Sequence, residues 1–82
     1  MEEAQMSLGA AIRTTRQKAL YTQESFAREL NVALSTVNRW ELNKARPNIK
    51  AMKAIKSFCA ERDLPYEIIE TAWLASGMEE LK

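Results

Sequence analysis

TQESFARELNVALSTVNRWE, residues 22–41, holds two short amphipathic patterns separated by a break too small to be a domain linker. Thr22 is a good helix N-cap because its hydroxyl accepts one of the unpaired N–H groups of the first turn, and Glu24 adds negative charge near the positive helix end. A helix is therefore expected to start at Gln23 and run to Leu30. Phe26, Ala27 and Leu30 recur at the three- and four-residue spacing that lays one apolar stripe along a helix, with Glu24, Ser25, Arg28 and Glu29 on other faces. Asn31 follows the last apolar residue, and Asn is the non-glycine residue that best tolerates a left-handed backbone, so the chain can turn sharply there. A second helix is expected from Ala33 to Glu41, with Val32, Val37 and Trp40 as its candidates for inward positions. Ala33, Leu34, Ser35, Asn38 and Arg39 are left facing outward.

Two short helices joined by a tight turn, the second carrying an outward row of small, amide and guanidinium side chains, make the layout that lets a helix enter the DNA major groove. The run T-Q-E-x-F-A-x-x-L-x-V-x-x-S-T-V-x-R-W-E, followed after Leu42 by N-K-x-R-P, resembles the helix-turn-helix of the lambda repressor and Cro type, also called the XRE family. Gln23, Ala27, Val32, Ser35, Val37, Trp40, Glu41 and Pro47 carry the match, and the similarity extends from Leu8 to Trp73. Most relatives have Gly where Asn31 stands, and Asn reaches the same backbone conformation at some cost. The resemblance implies an all-α, compact five-helix lambda-repressor-like DNA-binding domain with a helix-turn-helix.

Length and composition agree with one small helical domain. The 82 residues are expected to hold no separate effector domain, and 46% hydrophobic residues with only 2 Gly and 2 Pro favour packed helices over disorder or sheet. That domain is expected over residues 7–77, between a flexible N-terminal tail (1–6) and a C-terminal tail (78–82). With no apolar stretch near membrane-span length and no signal peptide after MEEAQ, the expected location is the cytoplasm, by the nucleoid. A single Cys59 and zero His exclude an internal disulfide and a zinc site of the usual kind, and Cys59 reads as a small buried residue. No cofactor is implied, and no histidine base, Gly-rich phosphate loop or distinctive carboxylate pair suggests an enzyme.

Net charge is only +1, yet its distribution is lopsided: Arg13–Lys56 holds ten Lys or Arg against three Glu, and the remainder two against eight acids. A basic middle between acidic ends suits a nucleic-acid partner better than the total does. Ser7 can cap a first helix with Leu8, Ala11, Ile12, Thr15, Ala19 and Leu20 on its inner side, ending near Lys18 or Ala19. Gly9 is a weak point in that helix, plausible where another backbone comes close. Beyond Glu41, Asn43 and Pro47 mark a loop that carries Lys44 and Arg46. A fourth helix, Asn48 to Ala60, places Ala51, Met52, Ile55, Phe58 and Cys59 opposite Lys50, Lys53 and Lys56; Glu61, Arg62 and Asp63 break the pattern. Pro65 opens a fifth with Ile68, Ile69, Ala72 and Trp73 as its apolar face, fading at Ser76-Gly77.

The residues suggest how DNA would be held. Gln23 has an amide donor beside the exposed N–H groups of its helix, and in the resembled family the matching Gln contacts phosphate. Lys44 and Arg46 are expected to add phosphate contacts from the loop, with Arg13, Arg28, Lys50 or Lys53 at the periphery. By resemblance, base reading falls to Ala33, Leu34, Ser35, Asn38 and Arg39. Arg39 suits guanine, Asn38 adenine or phosphate, and Ala33 or Leu34 a thymine methyl, unless Leu34 is a packing residue. Thr36 can bond phosphate or its own helix backbone. Arg16 and Glu41 match an Arg and a Glu that form a partly buried ion pair in the resembled family, a structural role. One module reads only a half-site, so a homodimer through Ile68, Ile69, Trp73 and Leu74 is expected, unless Ile69 and Trp73 simply close the core. The expected function is a double-stranded-DNA-binding regulator, a repressor of bacterial, phage or mobile-element origin. The alternative is an antitoxin or other module that holds a protein partner.

Overall fold

A computed structural model describes residues 6–80, which fold into α1 (Leu8–Lys18), α2 (Gln23–Leu30), α3 (Leu34–Glu41), α4 (Ile49–Glu61) and α5 (Glu67–Glu80). Most of the expected N-terminal tail, residues 1–5, and the end of the C-terminal one, residues 81–82, lie outside the described residues. Three helix starts are capped locally. Ser7 Oγ accepts from Ala10 N, Asn48 Oδ1 accepts from Ala51 N, and Thr22 and Ser25 cap each other's backbone reciprocally at the start of α2. The start of α3 differs: its N-cap is Ala33, with no side-chain hydrogen bond.

Four helix ends share one device. After α1, α2, α3 and α4 the chain takes a left-handed residue, Leu20 (φ 65°), Asn31 (φ 61°), Asn43 (φ 60°) and Asp63 (φ 57°). In each case the next residue's N–H reaches back five positions: Tyr21 to Arg16, Val32 to Ala27, Lys44 to Arg39, and Leu64 to Cys59, at 2.9–3.1 Å. This double-bonded stop satisfies carbonyls that a helix end otherwise leaves open. Asn31 thus makes the turn between α2 and α3 without glycine. Leu20 was expected on the inner side of α1, but it falls past the helix end with 91% of its surface exposed. A helical stripe ends where the backbone leaves the helix.

The core gathers the apolar stripes of all five helices. Leu8, Ala11, Ile12 and Thr15 of α1, Phe26, Ala27 and Leu30 of α2, and Val37 and Trp40 of α3 are buried. So are Ala51, Met52, Ile55, Phe58 and Cys59 of α4, as the spacing predicts. α3 packs against both α1 and α2, α2 also meets α4, and α1 meets α5. Phe58 takes Tyr21 and Phe26 edge-on at ring-centre distances of 5.1 and 5.0 Å. Burial pushes the Cys59 thiol above its ordinary pKa, so it stays neutral.

Arg62 does more than interrupt a pattern. It lies 4.0 Å over the Phe58 ring, donates to the Phe58 carbonyl and the Tyr21 hydroxyl, and pairs with Glu29 and Glu61. One guanidinium therefore ties α2, α4 and the α1–α2 turn.

α5 departs from expectation twice. It runs through Ser76 and Gly77 to Glu80. Gly77 is not at positive φ and stops nothing; it makes room for Arg46, whose Nη2 would stand 2.6 Å from an added Cβ. Moreover, Ile69 is fully buried in the single chain, and Trp73 is half-buried with its indole N–H donated to the Pro47 carbonyl at 2.6 Å. Ile69 therefore belongs to the core, and the partly exposed Trp73 packs against it. Ile68 and Leu74 stay exposed, six residues apart and hence about 120° apart around the helix.

Two substitutions test this backbone reading. Leu20→Gly relieves a left-handed leucine whose side chain touches little, and should raise stability by about 0.5–1 kcal/mol, a few degrees in Tm. Gly9→Ala should do the reverse, because its Cβ would meet the Trp40 and Glu41 carbonyl oxygens at 2.6 and 2.7 Å. Thermal unfolding followed by circular dichroism measures both.

Candidate nucleic-acid interface

Recognition of a groove requires a helix held from behind and empty in front. α3 is held from behind by four contacts of different kinds. Val37 and Trp40 enter the core, and α1 comes so close at Gly9 that only a hydrogen fits against the last carbonyls of α3. Just beyond α3, Asn43 Oδ1 accepts from Gly9 N at 2.9 Å while its Nδ2 donates to Ser7 Oγ at 3.2 Å. The turn residue thereby also caps α1, a role that its turn propensity does not announce.

The fourth contact is ionic. Arg16 Nε donates to Glu41 Oε2 at 2.7 Å and Arg16 Nη2 to Oε1 at 3.0 Å, a two-pronged pair whose side chains are 11% and 4% exposed. Arg16 Nη1 donates to the Tyr21 carbonyl at 2.9 Å, so the guanidinium also holds the end of α1. Gln23, the first residue of α2, donates from Nε2 to Glu41 Oε1 at 3.0 Å. Three helices meet at one carboxylate.

In front, the row is open. Ala33, Leu34, Ser35, Asn38 and Arg39 are all exposed, and Thr36 is half-buried. Leu34 exposes 48% of its surface, too much for a packing residue. Lys44 is exposed on the loop just past α3, and Arg13, Lys50 and Lys53 are exposed on the neighbouring helices. Arg28 is exposed as well, beside Glu24 at 3.5 Å.

Arg46 requires a correction. Expected among the phosphate contacts, it is instead turned onto α5, 4.5 Å over the Trp73 ring, with Nη2 donating to the Trp73 carbonyl at 2.7 Å and Nε to Ser76 Oγ at 3.1 Å. Its donors join the loop to α5. The physical reason is a flat indole beside a helix carbonyl that Gly77 leaves within reach, so that a guanidinium stacks and hydrogen-bonds at once.

The helix-turn-helix family model matches residues 12–60, more than half of the chain. The chain belongs to this helix-turn-helix family. Neither the curated proteins nor the solved structures gave a match.

In this helix-turn-helix, the first helix of the motif is α2, the turn is Asn31–Ala33 and the second helix is α3. The matched span contains the Arg16–Glu41–Gln23 network and stops before α5. The five-helix arrangement is that of the lambda-repressor-like fold, and the motif is of the DNA-binding kind. Among the described residues, no helix is long and apolar enough to cross a membrane.

Sequence reasoning missed two contacts here. That Gln23 would turn to Glu41 depends on the approach of α2 and α3, and that Asn43 would cap α1 joins residues 34 apart in the chain. Removing one partner of a buried pair strands the other charge, at a cost of about 3–5 kcal/mol. Glu41→Gln should therefore lower Tm by more than about 10 °C. Differential scanning calorimetry would reveal it, and an unchanged Tm would refute a stabilising role for the pair.

Proposed function

We propose that this helix-turn-helix protein is a sequence-specific double-stranded-DNA-binding transcriptional regulator, acting as a repressor by occupying its site, in a bacterium, phage or mobile element. The observation that carries this reading is the exposed row Ala33, Leu34, Ser35, Asn38 and Arg39 on a helix locked from behind by Gly9, Asn43 and the Arg16–Glu41 pair. A rigid helix with a bare outer face docks in a major groove without an ordering cost. Arg39 can take the two acceptors of a guanine edge, and Asn38 an adenine edge. Ala33 and Leu34 offer only apolar surface, which suits the 5-methyl group of thymine. Thr36 within α3, Lys44 just past it and Gln23, bonded to Glu41 at its end, supply phosphate contacts, which give affinity and salt dependence with little sequence information.

A single module reads one half-site, so we further propose a homodimer that uses Ile68 and Leu74, large apolar residues exposed on α5. Ile68 and Met6 line an open groove between α5, the start of α1 and the loop after α3. The same exposed groove is what favours the second reading, an antitoxin or related module in which that face holds a different protein. Sedimentation at tens of micromolar separates these: a dimer supports the first, and a strict monomer counts against it.

Fluorescence-anisotropy titration against random-sequence duplex at two salt concentrations tests DNA binding. Affinity should fall steeply with salt, and Lys44→Ala should reduce the log–log slope by about 0.9. Arg39→Ala should weaken a selected operator by about tenfold or more while leaving random duplex little changed. Absence of binding at low salt would move the assignment to the protein-partner role.

A further inference from the structure

Gln23 would make its phosphate contact through its amide nitrogen, because a phosphate oxygen only accepts hydrogen bonds. A free Gln side chain on a surface samples several rotamers and both amide orientations, and in half of those orientations it would offer the phosphate an oxygen. In this chain the orientation is determined. Nε2 donates to Glu41 Oε1 at 3.0 Å, and an ionised carboxylate is likewise acceptor-only, so the nitrogen end must be the one against Glu41. The same nitrogen keeps a second hydrogen.

We propose that Glu41 is a positioning residue for DNA binding: it holds the Gln23 amide so that the second Nε2 hydrogen meets a DNA phosphate, and Arg16 neutralises the carboxylate that would otherwise repel that phosphate. The inference rests on the DNA-binding reading above. Its geometry is that of a relay across three helices. Arg16 comes from α1, Glu41 from the end of α3, and Gln23 from the first position of α2, where the open N–H groups of a helix start also favour an anion. Glu41 Oε1 accepts from both Arg16 Nη2 and Gln23 Nε2, each at 3.0 Å, so the charge that orients the amide is the one the guanidinium balances. Arg16 is in turn anchored at the Tyr21 carbonyl, so the carboxylate cannot swing out to follow Gln23 without leaving its counter-ion. A role confined to folding would need only Arg16 and Glu41. The third bond places the ion pair directly behind a residue of the DNA face.

A double-mutant cycle on affinity tests this, with the parent, Gln23→Ala, Glu41→Asp and the double variant titrated against the same duplex at low salt. Glu41→Asp keeps the charge for Arg16 while drawing the carboxylate back from Gln23 by one methylene. The titrations are run at a temperature at which circular dichroism shows every variant folded. If Glu41 acts through Gln23, Gln23→Ala weakens the parent by about five- to tenfold, Glu41→Asp does about the same, and the double variant is no weaker than Glu41→Asp alone. Losses that multiply overturn the inference, because a merely structural Glu41 lowers Tm without changing the factor lost on removing Gln23. Should Glu41→Asp not fold, the joint change Arg16→Met with Glu41→Leu replaces it, removing both charges together so that neither is left unmatched. The same pattern is then expected and the same multiplication overturns it. A parent that does not bind duplex at low salt overturns the DNA-binding reading and this one together, whereas a parent that binds with multiplying losses overturns this one alone.

Discussion

A carboxylate withdrawn from water must be met by hydrogen bonds and a counter-charge, and at Glu41 the three groups that meet it come from two other helices. Desolvating such a pair costs about as much as its attraction returns, so its value lies less in net stability than in what it excludes. Any arrangement that moves α3 relative to α1 or α2 leaves a buried charge unmatched. Apolar contacts alone would let the short α3 slide or rotate, since Val37 and Trp40 are its only buried residues. The ion pair, with its directional bonds, selects one setting.

Once the back of α3 is held, its front is released from structural duty. Ala33 is not a capping residue and Leu34 is not packed, so neither is explained by the stability of the helix they begin. Local rules of helix building are kept at α1, α2 and α4 and set aside at the start of α3. Departures of this kind concentrate where a surface is selected for contact with something else.

The glycines and arginines show how residue type underdetermines role. Neither glycine makes a turn; Gly9 lets α1 approach two carbonyls of α3, and Gly77 lets a guanidinium reach α5, while Leu20, Asn31, Asn43 and Asp63 take the left-handed turns. Of the arginines, Arg16 is partly buried against Glu41 and Arg39 is exposed on the outer row of α3. Arg46 is stacked on Trp73, and Arg62 binds two rings, a carbonyl and a hydroxyl. Cation stacking at Arg46 has a further consequence. It couples the loop that presents Lys44 to α5, which the motif itself does not include.

Read alone, the sequence determined the helices apart from the end of α5, their starts at Ser7, Thr22 and Asn48, the turn at Asn31, and the buried stripes of α2, α4 and, short of Leu20, α1. It also determined which α3 side chains face away from Val37 and Trp40. All of these depend on residues within about four positions of one another, the range over which a helix repeats and a cap acts. The helix-turn-helix resemblance extended that reading to Arg16 and Glu41, because a motif stores a long-range contact as a spacing. Tertiary structure alone decided that Gln23 turns to Glu41, that Asn43 caps α1, that Arg46 belongs to α5, and that Ile69 closes the core while Ile68 does not. A guanidinium, an amide or an isoleucine can satisfy itself against many neighbours. Which one it meets depends on segments 18 to 34 residues away in the chain, whose approach is set by the packing of all five helices together.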